Sequence, residues 1–190
     1  MRLLAAAAVL ILSFAAAAQP ADWLRPDVAY AATRTMQAGG MTISGPVHYD
    51  GGKERFEMTM EGRQQVMIRR EDKQLLYMVM PQMGMGMEMK LGGQGSTPGA
   101  MPGARDYAEL QPEEVGRETV AGEETTKYRV QAEGGTIFIW ASDDGIPLRM
   151  EGESPEGRFV MELSDLKRGP QPAELFEVPA GIQIMAMPGQ

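Results

Sequence analysis

The chain contains no cysteine, which removes disulfides, thiolate metal centres and a cysteine nucleophile, and also the lipidated cysteine on which a bacterial lipoprotein is anchored. It has a single histidine, His48, between Val47 and Tyr49 in a strand-like stretch. With no second histidine or cysteine, a zinc site has no ligand set. No Gly-x-Ser-x-Gly elbow and no phosphate-cradling loop occurs, and the many Asp and Glu residues single out no catalytic pair. An enzyme should show one of these constellations, so the chain reads as noncatalytic, with no cofactor. Basic residues are few as well: 18 Lys and Arg stand against 26 Asp and Glu, a net charge of −8. They form no basic stripe, which argues against nucleic acid as a partner.

Long apolar runs are also absent, apart from the one at the start. Met1-Arg2 precedes an apolar run from Leu3 to Phe14 and alanines up to Ala18, followed by Gln19-Pro20. That run is shorter than the roughly 20 residues that span a bilayer. A basic residue, a short apolar core and small residues before a polar flank are the pattern of a secretory signal peptide. Residues 1–18 are expected to be removed, leaving 19–190 as one exported domain in the periplasm, with no stable membrane insertion.

What the chain does have is alternation. Phe56, Met58 and Met60 alternate with polar neighbours, as do Tyr128, Val130 and Ala132, then Leu148 and Met150, then Phe159, Met161 and Leu163. Period two marks strands with one buried face. Two runs, Leu75–Met80 and Ile137–Trp140, are apolar at successive positions and are expected to be covered on both faces. Turn signals such as Asp50-Gly51-Gly52, Glu61-Gly62, Glu71-Asp72-Lys73, Asp143-Asp144-Gly145 and Pro155-Glu156-Gly157 separate them at short spacing, as antiparallel hairpins require. The expectation is a mainly β protein: a single curved antiparallel sheet or half-open barrel of about eight to ten strands. One or two short helices fit only near Ala21–Tyr30 and Ala108–Glu114. The Gly/Pro-rich, nearly uncharged stretch 92–104 reads as a flexible loop.

Methionine is over-represented, with 17 residues, and Met78, Met80, Met83, Met85, Met87 and Met89 fall in one short segment. Two readings follow. Flexible, polarizable Met side chains can line an adaptable apolar groove. Thioethers are also soft ligands, so Met83, Met85, Met87 and Met89 are candidates for a copper(I) site.

Several stretches carry a family likeness: Gly40 to Met58, Val66 to Arg70, Leu76 to Pro81, Val120 to Tyr128, Trp140-Ala141-Ser142-Asp143-Asp144-Gly145-Ile146-Pro147-Leu148-Arg149-Met150, and Leu175 to Gly181. Together they resemble an uncharacterised family of exported bacterial proteins, itself similar to the lipoprotein-carrier superfamily of LolA, LolB and the lipid-sensing domain of RseB. The resemblance implies a half-open barrel holding an acyl chain against a helical lid. It makes the expected partner an acyl lipid or lipoprotein cargo, with an envelope protein as another. The cavity would be lined by Phe56, Met58, Met60, Leu76, Met78, Met80, Ile139, Met150, Phe159 and Met161. A noncatalytic envelope assembly factor is a further reading.

Overall fold

A computed structural model describes residues 24–91, 112–132, 135–154 and 157–186. The segments expected to be a signal peptide (1–18) and a flexible loop (92–104) lie outside the described residues. Among the described residues, one sheet of twelve strands organises the chain. In chain order these are β1 (Tyr30–Ala38), β2 (Met41–Asp50), β3 (Lys53–Met60), β4 (Arg63–Arg70), β5 (Leu75–Met80), β6 (Met85–Lys90), β7 (Glu113–Val120), β8 (Glu123–Ala132), β9 (Gly135–Ser142), β10 (Pro147–Ser154), β11 (Gly157–Arg168) and β12 (Gln183–Ala186). Their lateral order is β12-β6-β5-β4-β3-β2-β1-β11-β10-β9-β8-β7. The sheet is curved and its edges, β12 and β7, do not meet.

The alternation seen in the sequence is the cause of this architecture. Each antiparallel register sets residues of the same parity on one face, and the apolar sets coincide from strand to strand. One lateral row runs Tyr128, Ile139, Met150, Met161, Met36, Ile43. A second runs Val47, Phe56, Met67, Met78, Met87. Residues from both halves of the sheet, Met89 of β6 and Val130 of β8 among them, belong to one buried cluster, so the sheet curls until its inner face packs on itself.

Tight turns hold the registers. Gly39-Gly40, Gly51-Gly52, Glu61-Gly62 and Ala121-Gly122 each have positive φ at both residues, the type I′ geometry whose twist matches paired strands.

The outer face is covered in two ways. Over β4 and β5, Val66, Ile68 and Val79 are buried under Val178 and Ile182 of the C-terminal segment, so the Leu75–Met80 run is indeed enclosed on both sides. Over β8–β10 the cover is ionic. Trp140 is sandwiched by Lys127 and Arg149, 4.5 and 5.2 Å from the ring centre, and its indole N–H donates to Glu118 at 2.9 Å.

The C-terminal segment is pinned by cations from the sheet. Arg70 donates to Asp72 at 2.8 and 2.7 Å, to the Phe176 carbonyl at 3.1 Å and to the Glu177 carboxylate. The Arg70 hydrogen bonds to Asp72, against the opposing effect of burial, hold the Asp72 carboxyl down at about 2. Arg55 donates to the Leu175 carbonyl, and Phe176 is buried. Replacing Arg70 with glutamine is expected to raise amide exchange across 175–186 at least tenfold while the strands stay protected, as hydrogen–deuterium exchange would show; unchanged protection would refute the clamp.

The structure departs from the expected elements in three respects. Twelve strands replace eight to ten, and β12 pairs with β6 in parallel, because the C-terminal segment crosses the outer face before joining the edge. The described residues contain no α-helix, only short 3₁₀ turns at Pro81–Met83 and Ala173–Phe176. Of the two stretches read as helical, residues 24–29 are irregular, and Glu113 and Glu114 open β7, where pairing with β8 overrides their helix preference. No helix among the described residues is long and apolar enough to cross a membrane.

Candidate functional site

The hairpin turns after β1, β3 and β5 lie at one end of the sheet, as do the last residues of β8 and β10, and the inner face differs between its two ends. At the opposite end it is sealed. Tyr30 stacks on Tyr49 with ring centres 5.4 Å apart, and Leu24, Ile146 and Leu148 are buried beside them. The strap Leu24–Val28 crosses this end: the Asp27 amide donates to the Asp144 carbonyl at 3.2 Å and the Tyr49 hydroxyl to the Pro26 carbonyl at 3.4 Å. Toward the hairpin-tip end, Met36, Ile43, Met60, Met80 and Met85 are only half-buried, and Met41 is 61% exposed. The inner face is therefore an apolar surface that is packed at one end and more exposed at the other.

By register, all ten residues predicted for the cavity share this inner face. Phe56, Met58, Leu76, Ile139, Met150 and Met161 are buried in the packed part, whereas Met60, Met78, Met80 and Phe159 are half-buried. The four methionines proposed for copper divide. Met85, Met87 and Met89 alternate along β6 on the inner face, but Met83 sits in the Pro81–Met83 turn, 55% exposed. His48 faces outward, its Nδ1 2.9 Å from Gln171 Oε1. Among the described residues no group of three or more His, Cys, Asp or Glu side chains could hold a metal ion.

The sequence reading missed a charged pair in the middle of this apolar face. Arg34, only 4% exposed, donates to both oxygens of Glu54 at 2.8 and 2.7 Å, and its guanidinium lies 5.1 Å above the Phe56 ring. Burial works against ionising Glu54, but the Arg34 charge and its hydrogen bonds, with Arg69 beyond, hold the carboxyl below its usual range. Burial also pushes the Tyr30 phenol well up, and the Glu54 charge adds to the shift. Both ions carried a visible signal, since Arg34 shares parity with Tyr30, Ala32 and Met36, and Glu54 with Phe56, Met58 and Met60. Charges on apolar-parity positions require a partner.

Residues 34–144 match a family model described as Domain of unknown function (DUF4412). The chain belongs to the DUF4412 family. No curated protein matches this DUF4412 chain in sequence, but solved structures match it in shape. An uncharacterized conserved protein from Thermus thermophilus is 12% identical over 84% of this chain and 91% of that one, with a TM-score of 0.61. MucB in complex with MucA(peri) is 17% identical over 87% of this chain and 62% of that one, with a TM-score of 0.55. The MucA/MucB complex of Pseudomonas aeruginosa gives 16%, 87%, 63% and 0.52. The DUF4412 chain thus spans about three fifths of the MucB chains it matches. These likenesses show a fold shared with the Thermus thermophilus protein and with MucB.

Proposed function

We propose that this DUF4412 protein is exported to the periplasm through a cleaved signal peptide. There it binds an acyl lipid or a lipid-modified protein without catalysis, as a carrier or sensor. The observation that carries this reading is the asymmetry of the inner face, sealed by Leu24 and the Tyr30–Tyr49 stack at one end and lined by half-buried methionines at the other. Each acyl methylene moved from water into such a surface contributes about 0.8 kcal/mol, so about ten supply some 8 kcal/mol, the free energy of a micromolar complex before ordering costs. Met side chains suit an acyl chain because they repack around it with little strain. A second reading is favoured by the MucB structures, in which MucB is bound to MucA: a noncatalytic envelope assembly factor that holds a protein segment on the same fold.

The test is native mass spectrometry of the mature protein taken gently from its own periplasm, followed by organic extraction. A co-purifying acyl mass is expected. Replacing Met60 with aspartate, a half-buried position near the rim, should weaken uptake of a fluorescent long-chain acyl probe at least tenfold, whereas Met60→Leu should leave it intact. A bare protein that also ignores the probe overturns the acyl reading, and a co-purifying polypeptide would establish the assembly-factor reading in its place.

A further inference from the structure

The β5–β6 hairpin concentrates sulfur in a way that neither acyl binding nor core packing requires. Its register pairs Met80 with Met85 and, one rung deeper, Met78 with Met87. Directly opposed residues on antiparallel strands hold their Cβ atoms about 4.5–5.5 Å apart, and two rungs of one face lie about 7 Å apart along the strand. All four side chains are on the inner face and all four are half-buried, so they are neither locked in the core nor dispersed into solvent. Each sulfur stands two bonds beyond its Cβ on an unbranched chain with three rotatable bonds, which lets the four converge on one point. Across the edge, Met185 of β12 lies beside Met87 and continues the row.

The register is pinned by the turn between the rungs. Pro81–Met83 forms a 3₁₀ turn closed by Gly84 at φ 64, with the Gly84 amide on the Pro81 carbonyl. A slip by one residue would send Met80 and Met85 to the other face. The outer face behind them is packed instead with Val79 and Ile182. The chemistry of the donors is selective. Four neutral thioethers, with the lone histidine on the opposite face and engaged by Gln171, suit a soft monovalent ion; they are poor ligands for zinc, calcium or magnesium.

We propose that Met78, Met80, Met85 and Met87 form a thioether site for copper(I). This goes beyond the acyl-binding reading and does not depend on it. The ion binds as Cu(I) with no change of oxidation state, at the accessible end of the inner face, and Met83 takes no part because it lies in the turn.

The experiment is competition for Cu(I) between the purified protein and the chelator bathocuproine disulfonate under anaerobic, reducing conditions, with X-ray absorption reading the coordination. One equivalent with sulfur-only coordination is expected. The paired changes Met80→Leu with Met85→Leu, and Met78→Leu with Met87→Leu, should each weaken binding at least tenfold, and all four together should abolish it. Met83→Leu and Met36→Leu should change nothing. Leucine conserves volume and apolarity, so the fourfold variant should keep the circular dichroism spectrum and melting temperature of the wild type, and its loss of copper then reports lost sulfur; the acyl reading is tested on its own by Met60→Asp, and the two readings fail separately. A readout without substitution uses the redox-inert surrogate silver(I) on protein labelled at the methionine methyl groups. Its NMR shifts should be confined to these four residues and Met185. A wild-type protein that cannot compete with the chelator, a fourfold variant that binds as wild type, or silver shifts centred elsewhere would each overturn the site.

Discussion

Replacing Gly45 with alanine is expected to abolish stable folding. β2 pairs with β1 along its whole length, from Tyr30 opposite Tyr49 to Ala38 opposite Met41, but with β3 only from Val47 opposite Phe56 to Asp50 opposite Lys53. The sheet parts at Gly45-Pro46, where proline offers no N–H to continue the ladder. β3 passes so close beyond this point that a Cβ on Gly45 would lie 1.8 Å from the Glu57 carbonyl oxygen and 3.0 Å from its carbon. Both sides of that clash are backbone, so no rotamer change relieves it and the corner itself must open. A cost above about 4 kcal/mol is expected, a drop in Tm of about 10 °C or more if any folded protein is recovered. Asparagine at Gly39 is the control, since a Cβ there meets nothing and asparagine tolerates the left-handed turn; it should cost no more than about 1 kcal/mol. A Gly45→Ala protein melting with the wild type would show that the sheet does not turn its corner here.

The second large effect is expected from Arg34→Leu. Removing one partner of a buried ion pair leaves the other uncompensated, at a cost of about 3–5 kcal/mol. The carboxylate of Glu54 keeps 24% exposure and Arg69 remains near it, which places the loss at the lower end. The double change Arg34→Leu with Glu54→Leu should recover most of that loss, because an apolar pair suits the surrounding face of Phe56 and Ala32. The pH dependence identifies the cause. In the wild type the folded-state pKa of Glu54 lies below the unfolded value of 4.5, so its contribution is complete above that value and is lost as pH falls through the folded pKa. In Arg34→Leu the desolvated carboxyl loses the charge that held it down and takes up a proton more readily. The gap in stability between variant and wild type should then be wide at pH 7 and narrow in acid, measured by urea denaturation. A gap equally wide at both would mean that lost packing of the Arg34 stem, and not charge, is responsible.

Much of the fold was legible in the sequence because period two carries it. The sets around Phe56, Tyr128, Leu148 and Phe159 all fell on the inner face, and the doubly apolar run at Leu75–Met80 is covered on both sides. The run at Ile137–Trp140 is covered on its outer side for a reason the pattern does not contain, since the cover is the Lys127 ammonium and the Arg149 guanidinium. The segment after β11 was opaque. Phe176, Val178 and Ile182 are scattered among prolines and glycines with no period of their own, and only the apolar backs of Val66, Ile68 and Val79 explain where they go. β7 was obscured because Glu113–Val120 is a polar edge strand identified by its pairing rather than its residues. At the candidate site, alternation placed the methionines on one side but said nothing of the seal at one end, which comes from the strap at Leu24.

The position of β1 has a consequence for how the chain reaches this state. β1 precedes the other described strands in the chain and occupies the interior of the sheet, hydrogen-bonded on one side to β2 and on the other to β11. A meander of β1 to β6 can form early, but it carries an unfinished seam down the free side of β1 until β11 arrives. Pairings of such long sequence separation close slowly. Until then the seam exposes the open edge and apolar row of β1 to other chains, the condition under which a holdase is needed. Refolding from denaturant should therefore show a fast phase that orders the N-terminal meander and a slower one in which β11 docks, with aggregation confined to the interval between them.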